Sequence, residues 1–257
     1  MTFSLAAASK SLGRLMPMAS PATYAILTLS CLMYVISLLL TIHSGGLQAP
    51  SGGLLSSLFG IGGISGETLQ RMGASLPLPY NLQQPWRFVT AVFLHAGLLH
   101  IGFNMWVLMD IGPAVEELYG SARYFFVYVL TGIGGYVLSS FFGHISIGGS
   151  GALLGLIGLL LAITTGRKST GMQMLRRQII MWLIYIAVLG FVWSGIDNYA
   201  HFGGFVCGFA LGKFMTTRAP SSPQERKRAY VLGWGAALIV VASFAMVALG
   251  FIYATKA

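Results

Sequence analysis

The chain has 257 residues, 56% of them hydrophobic and only 8% charged, with a net charge of +9 from 15 Lys and Arg against 6 Asp and Glu. Soluble domains carry about 25% charged side chains, and with a mean hydropathy of +0.77 a globule of this size has too few to wet its surface. A soluble enzyme is thereby excluded, the bilayer becomes the solvent, and the positive charge reports topology rather than a nucleic-acid partner.

Residues 1–21 form a short N-terminal segment whose charges are Lys10 and Arg14. The apolar run Ala22–His43 exceeds the core of a signal peptide and is long enough to span. Residues 44–87 are rich in Gly, Ser and Pro yet carry Leu54, Leu55, Leu58, Phe59, Ile61 and Ile64. That composition predicts an interfacial loop lying against a bundle, not a solvated linker. Further spans are predicted at Phe88–Met109, Tyr124–Phe142, Ser150–Thr165, Ile179–Trp193, Tyr199–Met215 and Tyr230–Tyr253. Several fall short of the about 20 residues that a free-standing span needs. Short, Gly-rich spans carrying polar residues belong in the middle of a bundle, away from lipid.

The predicted fold is therefore an all-α polytopic bundle of seven transmembrane helices. Its six-helix core covers 22–215, a basic loop follows over 216–229, and an additional helix occupies 230–257. Cys31 and Cys207 lie in apolar runs and read as small buried hydrophobes, with no disulfide or metal site indicated.

Orientation follows from the basic residues. With the N-terminus inside, Lys10, Arg14, Arg123, Arg167, Lys168, Arg176, Arg177, Lys213, Arg218, Arg226, Lys227 and Arg228 all fall on the inner side. That is 12 of the 15, leaving only Arg71, Arg87 and Lys256 outside. The positive-inside rule then predicts N-in and C-out. The cluster Arg226-Lys227-Arg228 reads as an anchor to anionic membrane lipid.

Strongly polar groups inside spans are costly and are candidate functional residues for that reason. Four stand out: His100, Asn104, Ser150 and His201. His100 and Asn104 are four residues apart and share a helix face. Ser150 opens the fourth span, and His201 lies near the start of the sixth. On the predicted topology the second, fourth and sixth spans all run from outside to inside. A helix from Ser150 to near Gly166 rises about 24 Å, less than the about 30 Å of the hydrocarbon core. Ser150 is therefore expected below the outer surface, in a water-filled depression.

Gly151, Gly155, Gly158 and Ala162 form one small-residue stripe, and Gly204, Gly208 and Gly212 form another. Such stripes let two helix backbones approach closely. That approach brings the Ser150 hydroxyl within reach of His201, the pairing of a nucleophile with its base. His100, Asn104 and the backbone N–H at the start of the fourth span are then candidates to stabilise an oxyanion. His95 and His144 read as packing and loop residues. Without a His-Glu-x-x-His pattern or nearby carboxylates, no metal site is indicated. Asp197, four residues before His201, reads as an N-cap, with a third member of a catalytic triad as the alternative.

Five ordered motifs carry a resemblance: PWRF at Pro85–Phe88, HAGLLHIGFN ending at Asn104, GPAVEELYG at 112–120, GGSG at 148–151 and AHFGG at 200–204. Over roughly residues 80–215 the chain resembles the rhomboid family of intramembrane serine proteases, and its last helix resembles the six-plus-one arrangement of the bacterial type. The resemblance implies a Ser150 nucleophile and a His201 base, acting as a dyad without a carboxylate. It implies an oxyanion hole from His100, Asn104 and the Ser150 amide. Trp86 and Arg87 match the motif of a first loop lying sideways in the outer leaflet. Glu116 matches a structural acidic residue in the turn between the second and third helices. Gly148, Gly151, Gly204 and Gly208 match structural glycines.

The implied substrates are transmembrane segments of other membrane proteins, cut without metal or cofactor. One departure is Leu154, where several members place an aromatic ring beneath the catalytic histidine. The alternatives are a non-catalytic relative that binds transmembrane helices, or a transporter using the same polar cavity. Inactive relatives are expected to lack the serine or the histidine, and no internal repeat or pair of broken helices favours transport. With no transit peptide ahead of the first span, a bacterial plasma membrane is the expected home. Nothing in the sequence points to an oligomeric state.

Overall fold

In lipid every backbone N–H and C=O must find its partner within the protein, so apolar runs fold as helices. The computed structural model describes residues 20–45, 63–167, 169–192, 195–215 and 217–254. Lys10, Arg14, Lys168, Lys256, most of the N-terminal segment and residues 46–62 of the interfacial loop, with Leu54 to Ile61, lie outside the described residues.

The elements in chain order are α1 (Pro21–His43), α2 (Gly66–Arg71), α3 (Tyr80–Gln83), α4 (Arg87–Thr90), a 3-10 turn (Ala91–Phe93), α5 (Leu98–Tyr119), α6 (Ser121–Phe141), α7 (Ser150–Thr164), α8 (Thr170–Val192), α9 (Asn198–Phe214) and α10 (Pro223–Ala254). Among the described residues the one β-bridge pairs Ser75 with Ser146. The protein is an all-helical polytopic bundle.

Five helices, α1, α5, α6, α8 and α10, are long and apolar enough to cross a membrane. The other two candidates are shorter, with 15 residues in α7 and 17 in α9. At 1.5 Å per residue they reach about 22 and 25 Å, less than the hydrocarbon thickness. These two form the most closely packed helix pair in the molecule. Every residue of α7 except Ser150 and Leu161 is buried. By contrast α8 buries only Ile179, Trp182, Ile186 and Gly190.

The α7–α9 approach depends on glycine. A Cβ at Gly204 would run into the backbone of Gly151, and one at Gly208 into the carbonyl of Gly155. The two small-residue stripes face each other, with no side chain between them at these points.

Four boundaries differ from the hydropathy reading, one being the end of the second span, which runs on past Met109 to Tyr119. The second span begins at Leu98, ten residues after Phe88, because Phe88–Phe93 forms α4 and the 3-10 turn. Ala91, Val92, Phe93 and Leu94 are fully buried. Their apolar side chains serve the protein interior, which a hydropathy count cannot distinguish from lipid. The fifth span starts at Thr170, since Met, Gln, Leu and Arg carry a helix well beyond the apolar zone. The last starts at Pro223, so Arg226-Lys227-Arg228 belongs to its first turns and not to a loop. Ser222 and Glu225 form a reciprocal cap there: Glu225 N donates to Ser222 Oγ at 3.1 Å and Ser222 N to Glu225 Oε2 at 3.3 Å.

Cys31 is exposed on the outer face of α1, and Cys207 is half-buried. The expectation that both are buried therefore holds for neither in full. An exposed thiol on this face is still a small apolar group in an apolar solvent.

Candidate active site

The loop before α7 is held by its own backbone. Gly148 adopts a φ of +117°, a region that strongly favours glycine. Its N–H donates to Ala91 O at 2.9 Å, and its carbonyl accepts from the Tyr136 hydroxyl at 2.6 Å. Glycine is needed here for a second reason: a Cβ would lie 2.7 Å from His100 Nε2. The helix then starts at Ser150 with no side chain capping its first turn. Its leading N–H groups remain available as donors.

Across the glycine contact, α9 delivers His201. Ser150 Oγ and His201 Nε2 are 2.7 Å apart. The start of α9 is set by Asp197, whose Oδ1 accepts from the N–H groups of Tyr199 and Ala200 at 3.0 Å each. Its Oδ2 accepts from the Ser139 hydroxyl on α6. Both carboxylate oxygens are thus occupied by partners other than the imidazole. Asp197 is the N-cap of α9.

His100 lies in the first turn of α5, and its hydrogen bond sets its tautomer. Its Nδ1 accepts from Ala96 N–H at 3.3 Å; a nitrogen that accepts carries no proton, so the N–H of the neutral ring is at Nε2. That nitrogen faces Gly148. One turn on, Asn104 Nδ2 donates to His100 O at 2.8 Å. Asn104 is buried, and its Oδ1 has no hydrogen-bond partner. His95 packs edge-on against His100, with ring centroids 5.1 Å apart. His144, in the loop before α7, leans on Tyr199 of α9, with ring centroids 5.1 Å apart.

One cavity of about 570 Å³ joins His100, Asn104, Ser150 and His201. Its walls are largely apolar, with Phe103, Val107, Leu153, Leu154, Ile186 and Leu189 among them. Leu154 lines the same cavity as His201, and the imidazole is held by its contact with Ser150 and by the capped start of α9.

The remaining predicted site residues lie outside this cavity. Arg87 donates from Nη1 to Gln70 O at 2.7 Å and to Ala74 O at 3.0 Å, and from Nε to Gln84 Oε1 at 2.6 Å. Gln70 and Ala74 line the cavity, so Arg87 fixes part of its rim. Trp86 is half-buried, and its carbonyl accepts from Thr90 N at 2.9 Å. Gly151, Gly204 and Gly208 form the helix contact described above. Glu116 lies in the last turns of α5, not in a connecting turn. It accepts from Ala22 N at 2.9 Å, Thr23 N at 2.9 Å and Thr23 Oγ1 at 2.8 Å, and so caps the far-off start of α1.

Sequence reasoning passed over three positions. Tyr136 and Ser139 are polar tips in an apolar run on α6, a signal visible only once their partners are known. Asp110 fell one residue beyond the predicted end of the second span. Its carboxylate accepts from Gln178 Nε2 at 3.2 Å and from Trp182 Nε1 at 3.0 Å, joining α5 to α8.

A helical membrane bundle in which the two shortest of the seven long apolar helices bring a serine hydroxyl onto an imidazole defines a class, that of polytopic membrane proteins with a serine–histidine site. Within that class, the family model for the Rhomboid domain matches residues 82–218, slightly more than half of the chain, and the chain belongs to the rhomboid family. It is 36% identical over 149 residues to Rhomboid protease GluP of Bacillus subtilis, covering 58% of this chain and 29% of that protein. It is 32% identical over 200 residues to RHOMBOID-like protein 6, mitochondrial, of Arabidopsis thaliana, covering 70% and 65% respectively. Rhomboid-type serine protease 2 of Emericella nidulans is 36% identical over 179 residues, covering 67% of this chain and 34% of the relative. The chain thus spans between about a third and two thirds of the length of these curated relatives.

Proposed function

We propose that this protein is an intramembrane serine endopeptidase that hydrolyses peptide bonds in or near transmembrane segments of other membrane proteins. The observation that carries this reading is the 2.7 Å contact between Ser150 Oγ and His201 Nε2 in a largely apolar cavity. Relatives named as proteases support it.

Ser150 Oγ attacks the scissile carbonyl carbon as its proton passes to His201 Nε2, which acts as general base. The carbonyl oxygen becomes an oxyanion. His100 Nε2–H, the second N–H of the Asn104 amide and the Ser150 backbone N–H stabilise it, each worth about 3–4 kcal/mol where such a donor is removed. Collapse of the intermediate breaks the C–N bond, and the leaving amine takes the proton from His201. Water then attacks the acyl-enzyme, losing its proton to His201, and the second collapse returns that proton to Ser150. The reaction as written needs no metal or organic cofactor. The basic-residue distribution favours a cavity toward the outer face of the membrane.

Labelling of the purified protein by a fluorophosphonate tests the assignment. Covalent labelling is expected for the natural sequence and absent in Ser150→Ala and His201→Ala. Cleavage of a model transmembrane substrate at an unchanged rate after Ser150→Ala would overturn the mechanism. No labelling of the natural sequence would favour a helix-binding protein without catalysis.

A further inference from the structure

At the end of α7 remote from Ser150, a second cavity of about 390 Å³ is lined by Gly166, Arg167, Gln173, Arg176, Arg177 and Ile180. Gln173, Arg176, Arg177 and Ile180 recur at the spacing of a single helix face on α8. None of the three guanidinium groups has a carboxylate within ion-pair distance among the described residues. Arg167 donates from Nη2 to Thr217 Oγ1 at 3.0 Å, a neutral partner that leaves its charge uncompensated. Three arginines around one concave site, without an acid to neutralise them, make a receptor for an anion with two or more oxygens. The guanidinium fork matches a phosphate in a way that a lysine does not.

The same face of α8 continues as an exposed apolar stripe. Ile180 is 40% exposed, Ile184 48%, Val188 54% and Phe191 92%. From Ile180 to Phe191 the helix rises about 16 Å, close to half of the about 30 Å hydrocarbon core. A basic pocket at the polar end and an apolar track one leaflet long fit one kind of molecule, an amphiphile with an anionic head and acyl tails. A free phosphate would use the pocket and leave the stripe bare.

We propose that this pocket binds the phosphodiester head of an anionic phospholipid, with the acyl chain lying along Ile180, Ile184 and Val188. The positive-inside count puts these arginines on the inner side, the leaflet whose anionic lipids attract basic pockets between helices. The site is separate from the catalytic cavity, and its test does not depend on proteolysis.

The test is thermal unfolding of the full-length protein in a neutral detergent, with added phosphatidylglycerol or phosphatidylcholine. Phosphatidylglycerol is expected to raise the midpoint by about 4 °C at saturation, because a ligand that binds only the folded state stabilises it. Phosphatidylcholine is expected to raise it by less than half as much. In R167Q/R176Q/R177Q the phosphatidylglycerol shift should vanish. In R226Q/K227Q/R228Q, which removes the same charge outside the pocket, it should persist. R176K/R177K keeps the charge, loses the fork and is expected to keep less than half of the shift.

Equal loss in both triple variants would reduce the effect to general surface charge and overturn the proposal. So would equal shifts with the two lipids, or no shift with either. A full shift from millimolar inorganic phosphate would make the site one for free phosphate and overturn the lipid assignment. If R167Q/R176Q/R177Q fails to fold, Ile184→Ser decides: it leaves the arginines intact and should weaken the lipid shift while leaving any phosphate effect unchanged.

Discussion

The helices α7 and α8 are neighbours in sequence and opposites in construction. The 15 residues of α7 are buried almost throughout, and it meets α9 backbone to backbone. The 23 residues of α8 bury four side chains and present Ile184, Val188 and Phe191 outward. Length in α8 suits the thickness of the lipid, whereas α7, at about 22 Å, is shorter than the hydrocarbon core. A site that must hold two atoms 2.7 Å apart is built on the helix with least freedom. The long peripheral helices mainly satisfy the bilayer.

Ser150→Ala should reduce cleavage of a transmembrane substrate by about 10⁴-fold or more, with an unchanged thermal midpoint. Residual activity within tenfold of the natural protein would place the chemistry elsewhere. Gly208→Val puts a branched side chain against the Gly155 carbonyl and should cost about 3 kcal/mol or more of stability, read as a midpoint loss with activity falling in parallel. A variant that unfolds normally would show that the α7–α9 contact is looser than drawn.

Glu116→Ala removes three hydrogen bonds to the start of α1 and should cost about 1–3 kcal/mol. Glu116→Gln should recover part of that loss, because its carbonyl oxygen still accepts. Asp197→Ala deletes the cap of α9 and the Ser139 contact, for about 0.5–2 kcal/mol. Its effect on activity should exceed its effect on stability, since His201 lies in the first turn. The smallest effect belongs to the periphery: a Cβ at Gly250 of α10 meets nothing within 4 Å, so Gly250→Ala should be neutral or stabilise by up to about 1 kcal/mol. A loss comparable to Gly208→Val would erase the distinction between centre and periphery.

Some of this was legible beforehand, for reasons that lie in the solvent. In lipid a polar side chain within a span is costly, so His100, Asn104, Ser150 and His201 were conspicuous against an apolar background. Glycines at every third or fourth position signal close helix contact, and Gly204 and Gly208 make that contact with Gly151 and Gly155. Ser222 and Glu225 carried a capping-box pattern in plain view, which the apolar run beginning at Tyr230 masked. Phe88 to Leu94 misled for the opposite reason, being as apolar as a span while packed inside the protein.

By itself, then, the amino-acid order determined that the chain lives in a bilayer as a helical bundle, and which few polar groups its spans contain. These are local properties, since each residue meets its solvent individually. Helix packing sets which of those groups meet. It brought Ser150 onto His201, turned the proton-bearing nitrogen of His100 toward Gly148, and set Asp197 to capping α9. It also sent the Glu116 carboxylate to Ala22 and Thr23, more than 90 positions away in the chain. Hydrogen bonds need donor and acceptor within about 3 Å, and only the packing of the helices brings residues so distant in sequence to that separation.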